Sequence, residues 1–175
     1  RVISVGKLDA QKGYDMLVEA WGLVAVQHPD WVLDIFGVGE WEHKLGTRIK
    51  ELDLVGKINL CGKTSDVVSH YLDSSIYVMS SRYEGLPMVL IEAMSCGLPI
   101  VSFDCEYGPG EMIIEGESGF LVALNNLPQL AEKICVLIEN ESLRIKMGAK
   151  ALEGAKRYSK EPIMKKWIEL FDQIC

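Results

Sequence analysis

The sequence lacks most features of a small secreted, metal-binding or nucleic-acid-binding protein. Its five cysteines, Cys61, Cys96, Cys105, Cys135 and Cys175, are odd in number and form no C-x-x-C pair. That excludes a disulfide scaffold and predicts reduced thiols in a cytoplasmic setting. His28, His43 and His70 are the only imidazoles, and none stands close in sequence to a cysteine or another histidine, so no metal site is expected. They read as helix-surface or cap residues. Basic charge is scarce: Lys plus Arg number 18 against 25 for Asp plus Glu, a formal net charge of −7. Such a surface repels nucleic acid and anionic membranes, so any phosphate site must be assembled locally. Long apolar runs are missing too. The most apolar stretch, Met88 to Phe103, is broken by Glu92, Ser95, Gly97 and Pro99, which excludes a membrane span. There is no visible signal peptide, internal repeat, low-complexity tract or linker.

What is present suits one folded domain. The 175 residues are 49% hydrophobic and 25% charged, close to soluble globular averages. The chain opens at Arg1, without Met, directly on Val2-Ile3-Ser4-Val5, and reads as a piece cut from something longer.

Short apolar runs ending in Gly alternate with segments of helical period, the pattern of βαβ units around a parallel sheet. Strands are predicted at Arg1 to Val5, Trp31 to Phe36, Lys57 to Cys61, Ile76 to Ser80, Pro99 to Asp104 and Gly119 to Val122. Between the first two, Tyr14, Leu17, Val18, Trp21, Val24 and Ala25 recur at steps of three and four, one apolar helical stripe that stops at His28-Pro29. Glu42 to Leu52, Ser65 to Leu72 and Leu86 to Met94 read as further helices, the last with Pro87 in its first turn and Gly97 closing it. The final third is all helical: Leu127 to Glu139, Ser142 to Arg157 and Pro162 to Ile174. The expected architecture is an α/β, Rossmann-like parallel sheet with helices on both faces and a helical C-terminal tail. Right-handed crossovers put a ligand crevice beyond the carboxyl ends of the strands.

Four Gly-containing loops follow four strands, at Gly6, Gly37 to Gly39, Gly62 and Ser81 to Gly85, and should gather on one rim. The octapeptide from Gly6 to Gly13 carries Lys7 and Lys12 and then opens a helix, so it offers backbone donors and positive charge to a diphosphate. Read plainly, the same residues are solvated lysines between turn glycines. A Walker A loop is excluded, because Lys12 precedes Gly13 and no hydroxyl follows. Gly37-Val38-Gly39 lacks the third glycine of a dinucleotide fingerprint and follows the wrong strand.

The sharpest constellation is Ser80-Ser81-Arg82-Tyr83-Glu84-Gly85-Leu86-Pro87-Met88-Val89-Leu90-Ile91-Glu92-Ala93-Met94. Glu92 falls about two helical turns beyond the helix start, so both carboxylates can face one crevice. There they would accept hydrogen bonds from paired sugar hydroxyls, while the amides of Gly85 and Leu86 face a phosphate. The structural alternative makes Glu84 a helix-dipole partner and Glu92 a buried ion-pair member.

Glu84-x7-Glu92 within the run from Glu84 to Val101 resembles the E-x7-E segment of retaining glycosyltransferases of family 4. Val5-Gly6-Lys7-Leu8 to Lys12-Gly13, Ile35 to Gly39, Leu60-Cys61-Gly62 and Glu117 to Val122 agree with that family in order and distance, and the likeness covers nearly the whole chain. It implies the C-terminal half of a two-domain glycosyltransferase B fold, the half that binds a nucleotide-sugar donor, with an N-terminal acceptor domain missing. By position, Lys7 and Lys12 would hold the diphosphate and act as catalytic electrostatic groups with Glu84, which would hold the transferred sugar. Glu92 would bind the ribose hydroxyls. Gly62 and Lys63 would border the nucleobase, Gly6 and Gly37 would belong to the same donor-binding set, and the amides of Gly85, Leu86 and Met88 would lie near sugar and phosphate. No metal or other cofactor is implied.

Family members commonly carry Arg in place of Lys7, whose point charge lacks the planar fork. The segment Cys105 to Ile114 resembles a variant from transferases that build surface polysaccharides, often with UDP-sugars. The resemblance therefore implies hexosyl transfer from a UDP-sugar to a glycan or lipid-linked acceptor, at a cytoplasmic site. Any contact with the inner face of the membrane would fall to the missing half. The alternatives are a nucleotide-sugar epimerase or hydrolase of the same architecture, and a non-enzymatic flavodoxin-like domain. Trp167 and Phe171 would pack either across to the missing half or onto this domain's own sheet.

Overall fold

In a computed structural model, which describes residues 1–174, the apolar runs and helical stripes become a regular alternation of strands and helices. Cys175, one of the thiols expected to be reduced, lies outside the described residues. The order is β1 (Val2–Val5), α1 (Tyr14–Gln27), β2 (Leu33–Phe36), α2 (Glu42–Glu51), β3 (Ile58–Gly62), α3 (Val67–Leu72), β4 (Ile76–Met79) and α4 (Met88–Ser95). There follow β5 (Ile100–Asp104), α5 (Pro109–Met112), β6 (Gly119–Ala123), α6 (Leu127–Glu139), α7 (Glu141–Ala155), a 3₁₀ turn at Lys156–Tyr158 and α8 (Lys160–Ile174).

All strand pairings are parallel, and the sheet order is β3-β2-β1-β4-β5-β6. Val2 pairs with Leu33 on one side and with Ile76 on the other. The strand order reverses between β1 and β4, so the loops leaving their carboxyl ends turn toward opposite faces and open a crevice there. Continuous burial of β2 and β4 fits strands covered on both faces. On one face α1, α2 and α6 pack over Val2, Leu33, Ile35 and Val78; on the other α3, α4, α5 and α7 pack over Ile3, Tyr77 and Met79. In α1 the predicted stripe Tyr14, Leu17, Val18, Trp21 and Val24 is almost completely buried, each large side chain contributing about 1.5–3 kcal/mol. The helix ends where expected, with the His28 amide bonded to the Val24 carbonyl at 2.8 Å.

Three local expectations are corrected. Helix α4 starts at Met88, not Leu86: Pro87 is its N-cap in an extended conformation (ψ 93°), and that leaves residues 84–87 as a loop. The helix predicted to Arg157 leaves the α path after Ala155 and tightens into the 3₁₀ turn. The short helix α5 was not expected. Gly108 adopts φ +86°, and a Cβ there would lie 2.7 Å from the Pro87 ring, so the turn is fixed by contact with the β4–α4 loop.

Candidate donor site

The glycines after β1, β2 and β3 let three loops lie against one another. The Gly6 amide donates to the Phe36 carbonyl, and the Gly37 amide to the Gly62 carbonyl. Gly37 has φ +150°, and a Cβ there would fall 1.8 Å from the Gly6 carbonyl oxygen, so the loops close only without a side chain at that position. Beside them a cavity of about 440 Å³ is lined by Val5, Gly6, Lys7, Phe36, Gly37, Val38, Lys63, Thr64, Val67 and Glu92.

Of the residues singled out in the sequence, Gly6, Lys7, Gly37, Lys63 and Glu92 line this cavity. Gly62 sits just behind it, in the left-handed region (φ +69°) with open space where a side chain would project. Lys7 is largely exposed, with Asp9 3.5 Å from its ammonium. Glu92 points from α4 toward α3, and its Oε2 accepts from the Tyr71 hydroxyl at 3.2 Å. Burial, and then the Glu92 charge, push the Tyr71 phenol well above its ordinary pKa, so it stays protonated and donates.

Lys12 and Glu84 form a pair of their own. The Lys12 ammonium lies 2.6 Å from Glu84 Oε1, and the Ser81 hydroxyl donates to the same oxygen at 2.6 Å. Only 18% of the Lys12 side chain and 6% of the Glu84 side chain reach solvent. Among the described residues no donor engages Glu84 Oε2, which keeps accepting capacity. The Lys12 stem runs past Gly6, where a Cβ would come 3.1 Å from Cε, so the pair abuts the cavity's wall. The two lysines and two glutamates thus share one rim. Gly85, Leu86 and Met88 do not line the cavity. They lie exposed at the start of α4, where the first turn's amides have no partner inside the helix.

Several neighbours of the site lie in or beside segments singled out in the sequence but carried no assigned role there. Arg82 donates from both guanidinium nitrogens to Asp15 (3.0 and 2.8 Å) and also to the Ala10 carbonyl at 2.7 Å. Burial works to raise the Asp15 pKa, but the Arg82 hydrogen bonds and charge more than offset it and hold the carboxyl below its ordinary value. Cys105, at the end of β5, is buried, and burial followed by the Glu84 charge pushes its thiol up to about 11, so it is not a nucleophile at neutral pH. Ser81, three residues before Glu84, was the one such neighbour its position would have suggested. Among the described residues no three His, Cys, Asp or Glu side chains gather to hold a metal ion.

A family model described as "Glycosyl transferases group 1" matches residues 1–154. The chain belongs to this family. It is 40% identical over 166 residues to an uncharacterized glycosyltransferase of Haemophilus influenzae, covering 95% of this chain and 47% of that protein. It is 32% identical over 169 residues to the poly(ribitol-phosphate) alpha-N-acetylglucosaminyltransferase of Staphylococcus aureus, covering 96% of this chain and 34% of that one. The crystal structure of a Staphylococcus aureus TarM mutant with Fondaparinux, alpha-GlcNAc-glycerol and UDP superposes with a TM-score of 0.92 at 31% identity, over 97% of this chain and 35% of TarM. The group 1 chain thus spans less than half the length of these relatives, and its fold is that of glycosyltransferase B C-terminal domains. No helix among the described residues is long and apolar enough to cross a membrane.

Proposed function

We propose that this group 1 domain is the donor-binding half of a retaining glycosyltransferase of family 4. It would transfer a hexose-type sugar from a UDP-sugar to a glycan or lipid-linked acceptor in surface polysaccharide synthesis. The observation that carries the reading is the meeting, at the strand-order reversal, of a cavity holding Lys7, Lys63 and Glu92 with the buried Lys12–Glu84 pair on its wall. TarM, which holds UDP, and the poly(ribitol-phosphate) transferase of similar sequence support the choice of donor and of acceptor class.

In this reading the base lies along Phe36, Val38 and Thr64, with Lys63 at its border, and Glu92 accepts from the ribose hydroxyls. Lys7 and Lys12 hold the diphosphate, and the amides at the start of α4 lie near phosphate and sugar. Glu84 accepts from the transferred sugar through its unengaged Oε2. As the bond to the anomeric carbon breaks, negative charge builds on the leaving diphosphate. The two ammonium groups and the helix-start amides are already in place to stabilise it, so no metal is required for that role. The acceptor hydroxyl then attacks the anomeric carbon from the face the diphosphate leaves, its proton passing to the departing phosphate oxygen, and the configuration is retained. Glu84 and Glu92 act as binders. The acceptor side belongs to the length of the relatives that this chain does not span.

Calorimetric titration of the chain with UDP-, GDP- and ADP-glucose tests the reading. Saturable binding of the UDP-sugar, persisting in EDTA, is expected; binding of none would sink it. Glu92→Ala should weaken free UDP about tenfold, whereas Glu84→Ala should mainly weaken UDP-glucose. Equal effects of both variants on both ligands would overturn the division of roles.

A further inference from the structure

We propose that Arg82 is a positioning residue for the donor site. Held by Asp15 and the Ala10 carbonyl, it fixes the β4–α4 loop against the β1–α1 loop and so sets where Lys12 and Glu84 meet the sugar diphosphate. The proposal rests on the donor-site reading above.

The need for such a brace comes from the sheet. Strands β1 and β4 pair at Val2↔Ile76 and Ile3↔Tyr77, the Ser4 hydroxyl still donates to the Val78 carbonyl at 2.7 Å, and the loops that follow lead to helices on opposite faces of the sheet. Yet Lys12 and Glu84, one on each diverging loop, must stay in register, and the lysine's long flexible stem does not specify a position by itself. What joins the loops is a short ladder of polar contacts. The Ser80 hydroxyl donates to the Lys12 carbonyl at 2.8 Å, the Arg82 amide to the Gln11 carbonyl at 2.8 Å, and the Gln11 side-chain amide to the Tyr83 carbonyl at 3.1 Å.

Within that ladder Arg82 makes the one contact that is both bidentate and tied to a regular element. Asp15 belongs to the first turn of α1, whose neighbours Tyr14, Met16 and Leu17 are buried in the core, so the carboxylate is a fixed point. A planar guanidinium on two carboxylate oxygens defines direction as well as distance, which a single ammonium contact does not. Arg82 does not line the cavity. Its guanidinium engages Asp15 and Ala10, with the Trp41 ring centre 5.9 Å away, so its effect on ligand passes through Lys12 and Glu84.

The test is calorimetry on the chain with UMP, UDP and UDP-glucose, together with the variants Arg82→Ala and Arg82→Lys. UMP lacks the second phosphate and the sugar, and so reads the Glu92 and Lys63 side of the site. Arg82→Ala should weaken UDP-glucose about tenfold, as for loss of one charge-assisted hydrogen bond, while UMP binds as before. Arg82→Lys should recover part of the loss, because an ammonium reaches Asp15 without the fork. Asp15→Asn should follow Arg82→Ala. If the unaltered chain binds all three ligands and Arg82→Ala binds UDP-glucose equally well, the positioning role fails and the donor reading stands. An equal loss of UMP and UDP-glucose affinity in both variants also overturns it, since that marks general loosening. If the unaltered chain binds none of the three, the donor reading fails and the positioning role with it.

Discussion

The paired loops after β1 and β4 and the terminal helix α8 handle polarity in opposite ways. Where the two loops meet, polar side chains are withdrawn from water and matched: Ser80 and Ser81 are each 1% exposed, and the Glu84 carboxylate meets an ammonium and a hydroxyl. Helix α8 carries its apolar residues outside. None of its residues is buried, and Trp167 and Phe171 are half exposed, stacked on each other at 5.8 Å between ring centres. In the first region Lys12, Ser80, Ser81 and Glu84 are each held by a specific partner, so a deletion there strands what remains. In the second, a deletion removes surface that water already touches.

The widest gap between the regions should appear at Gly37. Gly37→Ala drives a Cβ into the Gly6 carbonyl, and a loss of about 3 kcal/mol or more is expected in urea denaturation, because backbone sits on both sides of the clash. A loss below about 1 kcal/mol would mean the loops open easily and are not the closed structure described. Glu84→Ala comes next. It leaves the Lys12 ammonium mostly buried without its carboxylate, which should cost about 3 kcal/mol. Glu84→Gln, which still accepts from both donors, should cost clearly less, and equal losses would show that charge alone matters there. At the other extreme, Trp167→Ser should change the stability of this chain by no more than about 0.5 kcal/mol. A larger loss would show that α8 packs on the domain in solution, which would erase the contrast.

Much of the fold was legible because it depends on local rules. Apolar runs of four or five residues between glycines specify buried parallel strands, and the stripe from Tyr14 to Val24 specifies a helix that can lie on only one face. All six strands fall within two residues of their expected bounds. The misreadings have local causes too. Pro87 fits either the cap or the first turn of a helix, and only its contact with Gly108 favours the cap. The four residues of α5 are too few to show a period.

The candidate site was legible as a set of residues, not as an arrangement. Gly6, Lys7, Gly37, Lys63 and Glu92 stand out because loops after parallel strands share one edge, and they do line one cavity. The Lys12–Glu84 bond, by contrast, spans a separation of 72 residues, and neither residue type nor spacing says that two opposite charges on diverging loops will close to 2.6 Å. Tyr71 and Asp15 are sited by helices remote in sequence from their partners, Glu92 and Arg82 respectively.

Taken alone, the sequence determined the parallel sheet, the faces of its helices and the edge where cations and carboxylates collect. These follow from periodicity, glycine and chain direction, which act over a few residues. Tertiary structure alone decided which lysine meets which glutamate, that Arg82 turns to Asp15, and that Glu84 keeps one oxygen unengaged. Those outcomes depend on how far apart packed helices hold two loops, a distance set by side-chain volumes in the core and written in no single segment.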